Sequence, residues 1–500
     1  MSRLDLKAPQ AVDQVLMDQT PAAVATGPLI PMIIGCALFM QTLDSTVISN
    51  ALPTMARALH EDAVTLNLAI TAYLLAAAVF LPISGWVADR FGAKRVFSIA
   101  IALFALSSLF CGLAQSLPEL VLARMVQGMA GAMMTPVGRL VLLRSVPKSD
   151  LVRAMSWLTM PAMLGPILGP PIGGFITTFM SWRWIFFINI PIGVLGVALV
   201  TVFIRDIREE HTPPLDVRGF ILTGFGLAGI VYGFENLGRG MLPFTVVVGL
   251  LVGGAICLLL YARHAKRTPH AILDLGLLRI PTFLASTVGG FFMRMGIGAT
   301  PFLLALLLQM GFGMSAFAAG LMTFASGAGA LLMKTTAGPI IARFGFKGVL
   351  IVNTFITGVS FMSYALFHAD TAHWLIIVTL LVGGFFRSLQ FTALNTLAFA
   401  DVEQSQMSRA SSLSSMGQQL ALSVGIGLAA ILLDLVRDLH RDVSGALQAS
   451  DVSPAFFIIG LISMIGLFFF LPLRKDAGAE VSGQQARGPG GTLAHAVSED

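Results

Sequence analysis

Five ionisable side chains interrupt stretches of sequence that are otherwise apolar: Asp44, Arg124, Arg294, Lys334 and Arg387. A charged side chain at the centre of a lipid bilayer costs about 2.5–3.5 kcal/mol on insertion scales, so such groups usually face a cavity and have a function. A carboxylate can take up and release a proton, and a neighbouring arginine competes with that proton. These residue types therefore suit proton transfer and the binding of charged small molecules inside a membrane.

Asp44 and Arg124 each belong to a polar stripe. At 100° per residue, Gln41 and Asp44 share one side of a helix, and Arg124 shares a face with Gln127. We predict that Asp44 and Arg124 couple transport to protons. The predicted substrate pathway is lined by Gln41, Gln127, Arg294, Lys334, Arg387 and Gln390. The alternatives are structural, with Asp44 as a buried hydrogen-bonding group and the cations as bridges to neighbouring helices or backbone carbonyls.

The composition shows what surrounds these residues. Of the 500 residues, 56% are hydrophobic and 11% are charged, and the mean hydropathy is +0.84. Soluble globular chains carry roughly 25% charged residues, so a water-soluble body of this size, a disordered chain and a coiled coil are all excluded. The three cysteines lie far apart inside apolar runs and offer neither a disulfide framework nor a metal site. The sequence therefore predicts an integral membrane protein.

Long apolar runs between charged or proline-marked turns predict about fourteen membrane-spanning helices, because roughly 20 apolar residues are needed to cross the hydrocarbon. The predicted spans lie near residues 29–52, 64–87, 96–115, 118–144, 154–178, 183–204, 218–236, 243–262, 281–309, 315–340, 348–368, 373–399, 408–433 and 454–473. The runs are continuous rather than alternating, which excludes the strands of a membrane barrel. The predicted fold class is an all-α integral membrane protein.

Lysine and arginine are concentrated in alternate loops, and such loops stay on the cytoplasmic side of a membrane. Arg90, Arg144 and Lys347 stand in these basic loops, whereas the opposite loops hold fewer cations, among them Arg183. An even number of spans then places both termini in the cytoplasm. We expect flexible cytoplasmic tails at 1–27 and 476–500, which are rich in small and polar residues.

The sequence contains an internal repeat. Arg90-Phe91-Gly92-Ala93-Lys94 follows the second span, and Arg343-Phe344-Gly345-Phe346-Lys347 follows the tenth. Likewise, Arg124-x-x-Gln127 in the fourth span has the counterpart Arg387-x-x-Gln390 in the twelfth. We predict six-helix bundles at 28–204 and 271–475, with two inserted helices at 205–270. Many secondary transporters pair such bundles around a site at the membrane midplane. The alternative is a duplicated scaffold without a pathway.

Over nearly its whole length the chain resembles the major facilitator superfamily. Within it, the chain is most similar to the fourteen-span drug:proton antiporters of the EmrB/QacA type, which include the MdtD-like multidrug resistance proteins. The motifs that carry this resemblance are Leu43-Asp44-Ser-Thr-Val-Ile-Ser-Asn, Gly85-Trp-Val-Ala-Asp89-Arg90-Phe91-Gly92, Leu122-Ala-Arg124-Met-Val-Gln127-Gly128, Gly165-x-x-x-Gly169-Pro170-x-x-Gly173-Gly174 and Ser181-Trp-Arg-Trp. The loop motif is weak alone, but all of them in this order are specific.

The resemblance implies a major facilitator fold and assigns roles to two further groups of residues. The implied gating loop consists of Gly85, Asp89, Arg90, Gly92, Lys94 and Arg95. The implied antiport helix carries Gly165, Gly169, Pro170, Gly173 and Gly174. Each group also has a structural alternative, because charges at a helix end can reflect topology alone and glycines at every fourth position permit close helix packing. In the second repeat Ala342 replaces the acidic residue, so any latch there must differ.

The charges inside the predicted spans bear on the substrate. The buried cations outnumber Asp44, and like charges repel strongly in a poorly solvated cavity, so cationic drugs fit such an interior badly. An anionic, zwitterionic or metal-chelate substrate fits at least as well. The sequence holds no phosphate-binding loop, His-x-x-x-His pair or HExxH motif, which argues against an ATP-driven pump, a di-iron enzyme and a zinc protease.

The sequence therefore predicts a transporter and not an enzyme: a proton-coupled exporter of drugs, other xenobiotics, organic acids or metal chelates across the bacterial inner membrane, working by alternating access. The proton gradient supplies the energy, and no cofactor is expected. The expected partners are a small-molecule substrate, protons, the lipid bilayer and a periplasmic adaptor protein, but no nucleic acid. The alternative on the same fold is a symporter or facilitator. A membrane sensor or lipid-modifying enzyme is the alternative that the sequence supports least.

Overall fold

A computed structural model describes residues 28–61, 66, 68–204, 212–237, 242–440 and 449–482. Within these ranges the regular structure is entirely helical, and no strand is present. The predicted tail 1–27, and the predicted tail 476–500 from residue 483 onward, lie outside the described residues. The predicted all-α fold class is confirmed.

Fourteen membrane-spanning helices, named here α1 to α14, follow one another along the chain. They are α1 (Leu29–Leu59), α2 (Leu68–Phe91), α3 (Ala93–Leu113), α4 (Leu117–Ser145), α5 (Leu151–Phe179), α6 (Trp184–Phe203), α7 (Val217–Asn236), α8 (Phe244–Ala265), α9 (Pro281–Gly311), α10 (316–344), α11 (346–363), α12 (His373–Leu397), α13 (Met407–His440) and α14 (Asp451–Phe470). Thirteen stretches are long and apolar enough to cross a membrane, and one of them, Ala318–Leu366, holds both α10 and α11. The predicted count of fourteen spans is therefore confirmed.

The junctions after α2 and α10 have the same backbone conformation. Gly92 has φ 90°, and Gly345 has φ 69° within the otherwise helical run Ala316–Ser363. A residue with a side chain rarely adopts positive φ, so glycine lets the chain turn sharply between two helices here. These glycines occupy the same place in the two copies of Arg-Phe-Gly-x-Lys, which explains why the motif recurs.

Helix packing repeats in the same order along the chain. In the first bundle (α1–α6), α1 packs on α5 and α6, and α3 packs on α6. In the second bundle (α9–α14), α9 packs on α13 and α14, and α11 packs on α14, where Gly358 lies against Gly460 and Met464. Likewise, α2 packs on α4 in the first bundle and α10 packs on α12 in the second, where Gly329 and Gly384 lie at the contact. Two copies of one six-helix arrangement therefore make up most of the described chain.

The two bundles meet along two seams. One seam joins α13 to α2 and α4, and the other joins α5 to α10 and α12. The inserted helices α7 and α8 pack on each other, and α7 also contacts α2 and α13. The inserted pair therefore covers the first seam from outside.

Candidate functional site

Asp44 is fully buried in α1 and lies at the centre of a polar network. Its Oδ2 accepts a hydrogen bond of 2.6 Å from Nη1 of Arg124 on α4, and the two groups form an ion pair. Its Oδ1 accepts from Nε2 of Gln127 at 3.0 Å and from Nδ2 of Asn189 at 2.9 Å. All three partners donate, so the network is built around the ionised carboxylate.

Arg124 is held by α1, α2 and α4 together. Nη1 also donates to Oε1 of Gln127 at 2.6 Å, and Nε donates to the carbonyl of Ala69 at 3.4 Å. The guanidinium carbon lies 4.4 Å from the ring centroid of Tyr73. These hydrogen bonds and the cation–π contact offset part of the cost of burying the charge. Asp44, Gln127, Ala69 and Tyr73 therefore fix the position of Arg124 together, and Asp44 is the one that compensates its charge.

A second layer of polar groups connects the ion pair to α3 and α6. Oγ of Ser108 accepts from Nε2 of Gln127 at 3.2 Å and from Nδ2 of Asn189 at 2.9 Å, and it donates to the carbonyl of Phe186 at 3.1 Å. Sγ of Cys111 donates to Oε1 of Gln127 at 3.7 Å. Among the described atoms of this network, Oδ1 of Asn189 has no hydrogen-bond partner.

Glycines bring α5 directly onto the middle of α1. Gly165 faces Thr42 and Gly169 faces Thr46, and a Cβ atom on either glycine would collide with the threonine hydroxyl oxygen. The two hydroxyls donate to carbonyls of α5, at 2.9 Å from Thr42 and 3.3 Å from Thr46. Because Thr42 and Thr46 flank Asp44 in sequence, this close packing also fixes the part of α1 that carries the carboxylate.

Three buried cations of the described chain have no carboxylate within ion-pair distance: Arg139, Arg294 and Lys334. Arg294 on α9 donates to the carbonyl of Ser286 at 3.0 Å and to Oδ1 of Asn395 at 3.3 Å, and its Nε has no partner. Nζ of Lys334 on α10 donates to Thr392 at 2.7 Å. The described hydrogen-bond acceptors of these three cations are all neutral oxygen atoms.

A chain of hydrogen bonds runs from Arg294 to the first bundle. Oδ1 of Asn395 also accepts from Nε2 of Gln418 at 3.0 Å, and this amide lies 3.5 Å from Oγ of Ser414. Ser414 in turn accepts from Nη1 of Arg139 on α4 at 3.4 Å. A positively charged region therefore extends from α9 across α12 and α13 to α4, through both bundles.

The two bundles are in contact at the end that carries the basic loops. Asp89, near the end of α2, lies 3.0 Å from Nη2 of Arg144 and accepts a hydrogen bond from Ser408 at the start of α13. The amide of Gly85 donates to Oγ of Ser412 at 2.9 Å. A Cβ atom on Gly85 would lie 2.7 Å from the carbonyl of Ser408, so the residue must be small. These contacts bring the bundles together at the basic end.

Comparison with known proteins assigns the chain to a family. Residues 34–277 and 286–496 match the model of the Major Facilitator Superfamily. The chain belongs to the major facilitator superfamily. It is 40% identical over 418 residues to proteins named "Putative multidrug resistance protein MdtD" from Salmonella heidelberg (strain SL476) and Salmonella paratyphi A (strain ATCC 9150 / SARB42), covering 83% of this chain and 88% of theirs. It is therefore a multi-pass membrane transporter of this superfamily.

Solved structures of the superfamily share the fold at low sequence identity. The human organic anion transporter MFSD10 (TETRAN) matches with a TM-score of 0.64 and 14% identity, covering 89% of this chain and 99% of that chain. The proton:xylose symporter XylE, bound to 6-bromo-6-deoxy-D-glucose, matches with a TM-score of 0.62 and 15% identity, covering 91% and 98%. These likenesses confirm the predicted major facilitator fold.

The predicted gating loop of this superfamily member is divided by the structure. Asp89 and Gly85 contact α13, whereas Arg90 and Arg95 are exposed. Nζ of Lys94 donates to the carbonyl of Thr201 at 2.8 Å, which joins α3 to α6 within the first bundle. Gly92 forms the turn between α2 and α3 described above. Of the four predicted gating charges, Asp89 is therefore the one that makes a described contact with the second bundle.

The predicted antiport glycines also differ from one another. Gly173 continues the row of Gly165 and Gly169, since its Cβ position lies 3.1 Å from the carbonyl of Val47. Gly174 has open space around its Cβ position. Pro170 lies within helix α5, but its side chain is outside the described part of the structure. The row of three therefore packs α5 on α1, and Gly174 takes no part in that packing.

The predicted pathway residues occupy three different environments. Gln41 bridges α1 to α4, accepting from Thr135 at 3.1 Å and donating to the carbonyl of Gly131 at 3.1 Å. Gln127 belongs to the Asp44 network, Arg294 belongs to the positively charged region, and Lys334 donates to Thr392 on α12. Arg387 donates to Ser326, and its guanidinium carbon lies 5.4 Å from the ring centroid of Phe361. The structure therefore does not gather these residues into one continuous lining.

Gln390 is enclosed by protein and bonded to α11. Its Nε2 donates to Thr354 at 2.7 Å, and its Oε1 accepts from Asn353 at 2.9 Å. Gln127 binds Ser108 on α3 in the same way, and α3 is the counterpart of α11 in the repeat. The structure thus gives Gln390 the contacts of a helix-packing residue, which is the structural alternative to its predicted place in the pathway.

Sequence reasoning missed two residues of the site, Ser108 and Asn189, and it placed a third, Arg139, on the polar stripe of the fourth span that it interprets as a pathway wall. Asn189 and Ser108 complete the Asp44 network, and Arg139 extends the positive region into the first bundle. Asn189 lies in the segment that begins with Ser181-Trp-Arg-Trp, and Arg139 shares the face of α4 that carries Arg124. The motif and the polar face therefore mark both positions in the sequence. Their hydrogen-bond partners lie on other helices, so the spacing of residues along one helix does not predict them.

Proposed function

We propose that this protein is a proton-coupled exporter of small molecules, with Asp44 and Arg124 as the coupling pair. The observation that carries the proposal is the buried ion pair, in which the carboxylate is surrounded by donors alone. Taking two charges out of water costs several kcal/mol per ion, and a purely structural contact between α1 and α4 would not need them. A pair that is broken and remade in each cycle does need both charges.

Proton uptake by Asp44 would change the network in one step. A neutral carboxyl no longer compensates the charge of Arg124, and an arginine left without its counter-ion in a buried site is unstable by about 3–5 kcal/mol. Movement of the two bundles relative to each other would relieve this cost by giving Arg124 a new environment. The proton gradient supplies energy of the same size as this cost, since one charge crossing 100 mV carries about 2.3 kcal/mol and each pH unit adds about 1.4 kcal/mol.

Alternating access would use the contact between the bundles at the basic end. The loop-charge bias favours a cytoplasmic position for this end, and thus for both termini, in the bacterial inner membrane. Asp89, Ser408 and Ser412 would keep the cytoplasmic side closed and would separate when the transporter opens inward. Each hydrogen bond contributes about 0.5–1.5 kcal/mol net, or about 1.5–3 kcal/mol when one group is charged, so the cost of opening this contact is comparable to the energy of the proton gradient.

Two observations bear on the class of substrate. The relatives named as multidrug resistance proteins support the export of drugs and other xenobiotics. The unpaired charges of Arg139, Arg294 and Lys334 support organic acids or metal chelates, because a ligand with negatively charged oxygens would satisfy them. A periplasmic adaptor stays a prediction from the resemblance.

Transport in lipid vesicles tests the proposal. A panel of drugs, organic acids and metal chelates is offered outside vesicles that are acidic inside, and an exporter inserted inside-out should accumulate its substrate against the gradient. An uncoupler should abolish this, and so should Asp44→Asn, while substrate exchange without a proton gradient survives. Asp434→Asn, which changes an exposed aspartate of α13, is the matched control. Uphill accumulation by Asp44→Asn would refute the coupling role, and uncoupler-insensitive equilibration would indicate a facilitator.

A further inference from the structure

The acceptors near Asp44 decide how it can be protonated. A protonated carboxyl is a donor as well as an acceptor, and in a buried site its O–H needs an acceptor. The three groups that touch Asp44 in this structure all donate to it: Arg124, Gln127 and Asn189. An acceptor must therefore become available when the proton arrives.

The neighbouring oxygen atoms differ in whether they are free. Oε1 of Gln127 already accepts from Arg124 and Cys111, and Oγ of Ser108 already accepts from two amides. Oδ1 of Asn189 belongs to a side chain that is 0% exposed, and it has no partner among the described residues. It is thus a spare acceptor on the same amide group that now donates to Asp44.

We propose that Asn189 is a positioning residue whose side-chain amide rotates by half a turn when Asp44 takes up a proton. With Asp44 ionised, Nδ2 donates to the carboxylate and to Ser108. With Asp44 protonated, Oδ1 takes the same place and accepts the new O–H. The rotation exchanges the two bonds that Nδ2 donates, to Asp44 and Ser108, for the one that Oδ1 accepts from Asp44. The hydroxyl of Ser108 can restore its bond to Asn189 by turning from the carbonyl of Phe186 to Oδ1, so the rotation has a net cost of one hydrogen bond, which proton uptake must offset.

The rotation would link proton uptake to the release of Arg124. With the proton on Oδ1, Oδ2 is a neutral carbonyl oxygen, so Nη1 of Arg124 can still donate to it but the ion pair that holds the buried guanidinium is lost. Asn189 can serve both states, and it would stabilise the protonated carboxyl on the side away from the guanidinium. The other titratable groups of the network are Tyr73, whose ring lies against Arg124, and Cys111, which donates to Gln127, and neither is among the described hydrogen-bond partners of Asn189.

Infrared difference spectra of the intact protein in lipid vesicles test this inference, which rests on the proposed coupling role of Asp44. Spectra are compared between acidic and alkaline buffer, with the protein carrying ¹³C in its asparagine side-chain amides. We expect a carboxyl band that is lost in Asp44→Asn, together with an isotope-shifted amide band that appears over the same pH range. The amide band should be lost in Asp44→Asn and in Asn189→Leu.

The matched control is Asn353→Leu. Asn353 is a buried asparagine of α11 that donates to Gln390 and also has an unpartnered Oδ1, but its described partners include no carboxylate. The amide band should persist in this variant. If the Asp44 carboxyl band titrates while no amide band responds, or if the amide band persists in Asn189→Leu, the rotation is refuted and the coupling role stands. If no band assigned to Asp44 titrates, both ideas fail.

Discussion

Nη1 of Arg124 lies 2.6 Å from Oδ2 of Asp44, and each of these side chains is at most 1% exposed. At this burial the two charges depend on each other. Replacing a buried pair as a whole is often neutral for stability, whereas removing one partner leaves an uncompensated charge that costs about 3–5 kcal/mol. The pair therefore links the stability of the first bundle to the state of the carboxylate.

Single and double substitutions of the pair should differ in stability. We expect Arg124→Gln to lower the thermal unfolding temperature of the purified protein, because Asp44 is left buried without its counter-ion. The double variant Asp44→Asn with Arg124→Gln should recover most of that loss, since no charge remains. Neither protein should couple transport to protons. A double variant as unstable as Arg124→Gln would show that the loss comes from packing and not from charge.

Asp89 should control how tightly the basic end is closed. In a protein whose native cysteines Cys36, Cys111 and Cys257 are replaced, Ser412→Cys places a reporter thiol in the contact between α2 and α13. Adding Asp89→Asn should speed labelling of this thiol by a water-soluble maleimide several-fold, because the contacts with Arg144 and Ser408 are weakened.

Arg90→Gln is the control for that experiment. Arg90 is the neighbour of Asp89 in the same motif, but its side chain is exposed. Its substitution should leave the labelling rate within about two-fold of the parent. If both substitutions speed labelling equally, the gate depends on the charge of the loop and not on the contact of Asp89 with α13.

The glycines of α5 should tolerate a methyl group unequally. Gly169→Ala would drive a Cβ atom into the hydroxyl of Thr46, and overpacking of this kind typically costs about 1–3 kcal/mol. Gly174→Ala adds the same methyl group where the structure has open space. We expect a lower unfolding temperature and slower transport for the first variant only, as measured on both proteins in the same detergent and vesicles. Equal losses would contradict the packing of α5 on α1.

The helices were predictable because each span satisfies its own physical requirement locally. A run of about 20 apolar residues is visible without knowledge of its neighbours, and the repeated glycine turn at Gly92 and Gly345 recurs in sequence. Asp44 and Arg124 were predictable for the same reason, since a charge inside an apolar run is conspicuous wherever its partner lies.

The partners of these residues were not predictable from one sequence. Asp89 and Ser408 are 319 positions apart, and Asp44 and Asn189 are 145 apart. Serine, threonine and asparagine occur in many spans, so residue type alone does not show which of them meets a charge. The division of the gating loop into a contacting Asp89 and an exposed Arg90 depends on how α13 packs, which no local pattern records.

The order of the loops predicts their sides of the membrane. With fourteen spans, a reporter enzyme that works only outside the cytoplasm should be active when it is fused after Gln115 or Asp370. The same enzyme should be inactive when it is fused after Lys148 or Glu403. The basic residues near Lys148 and their scarcity near Asp370 give the reason. The same signal for fusions after Gln115 and Lys148 would mean that α4 does not cross the membrane.

Arg294 should select for negative charge on the substrate. Its Nε has no described partner, and its other nitrogen atoms contact only neutral oxygens, so a carboxylate would gain a charge-assisted hydrogen bond of about 1.5–3 kcal/mol. Arg294→Gln should therefore weaken export of an organic acid or metal chelate by roughly ten-fold or more, and that of a neutral compound much less. Arg343→Gln removes an exposed arginine and is the matched control. Competition between a labelled anionic and a labelled neutral substrate in the same vesicles measures the loss of export for both compounds in one experiment. Equal losses for charged and neutral substrates would show that Arg294 is a structural tie between α9 and α12, and that the positive region does not contact the substrate.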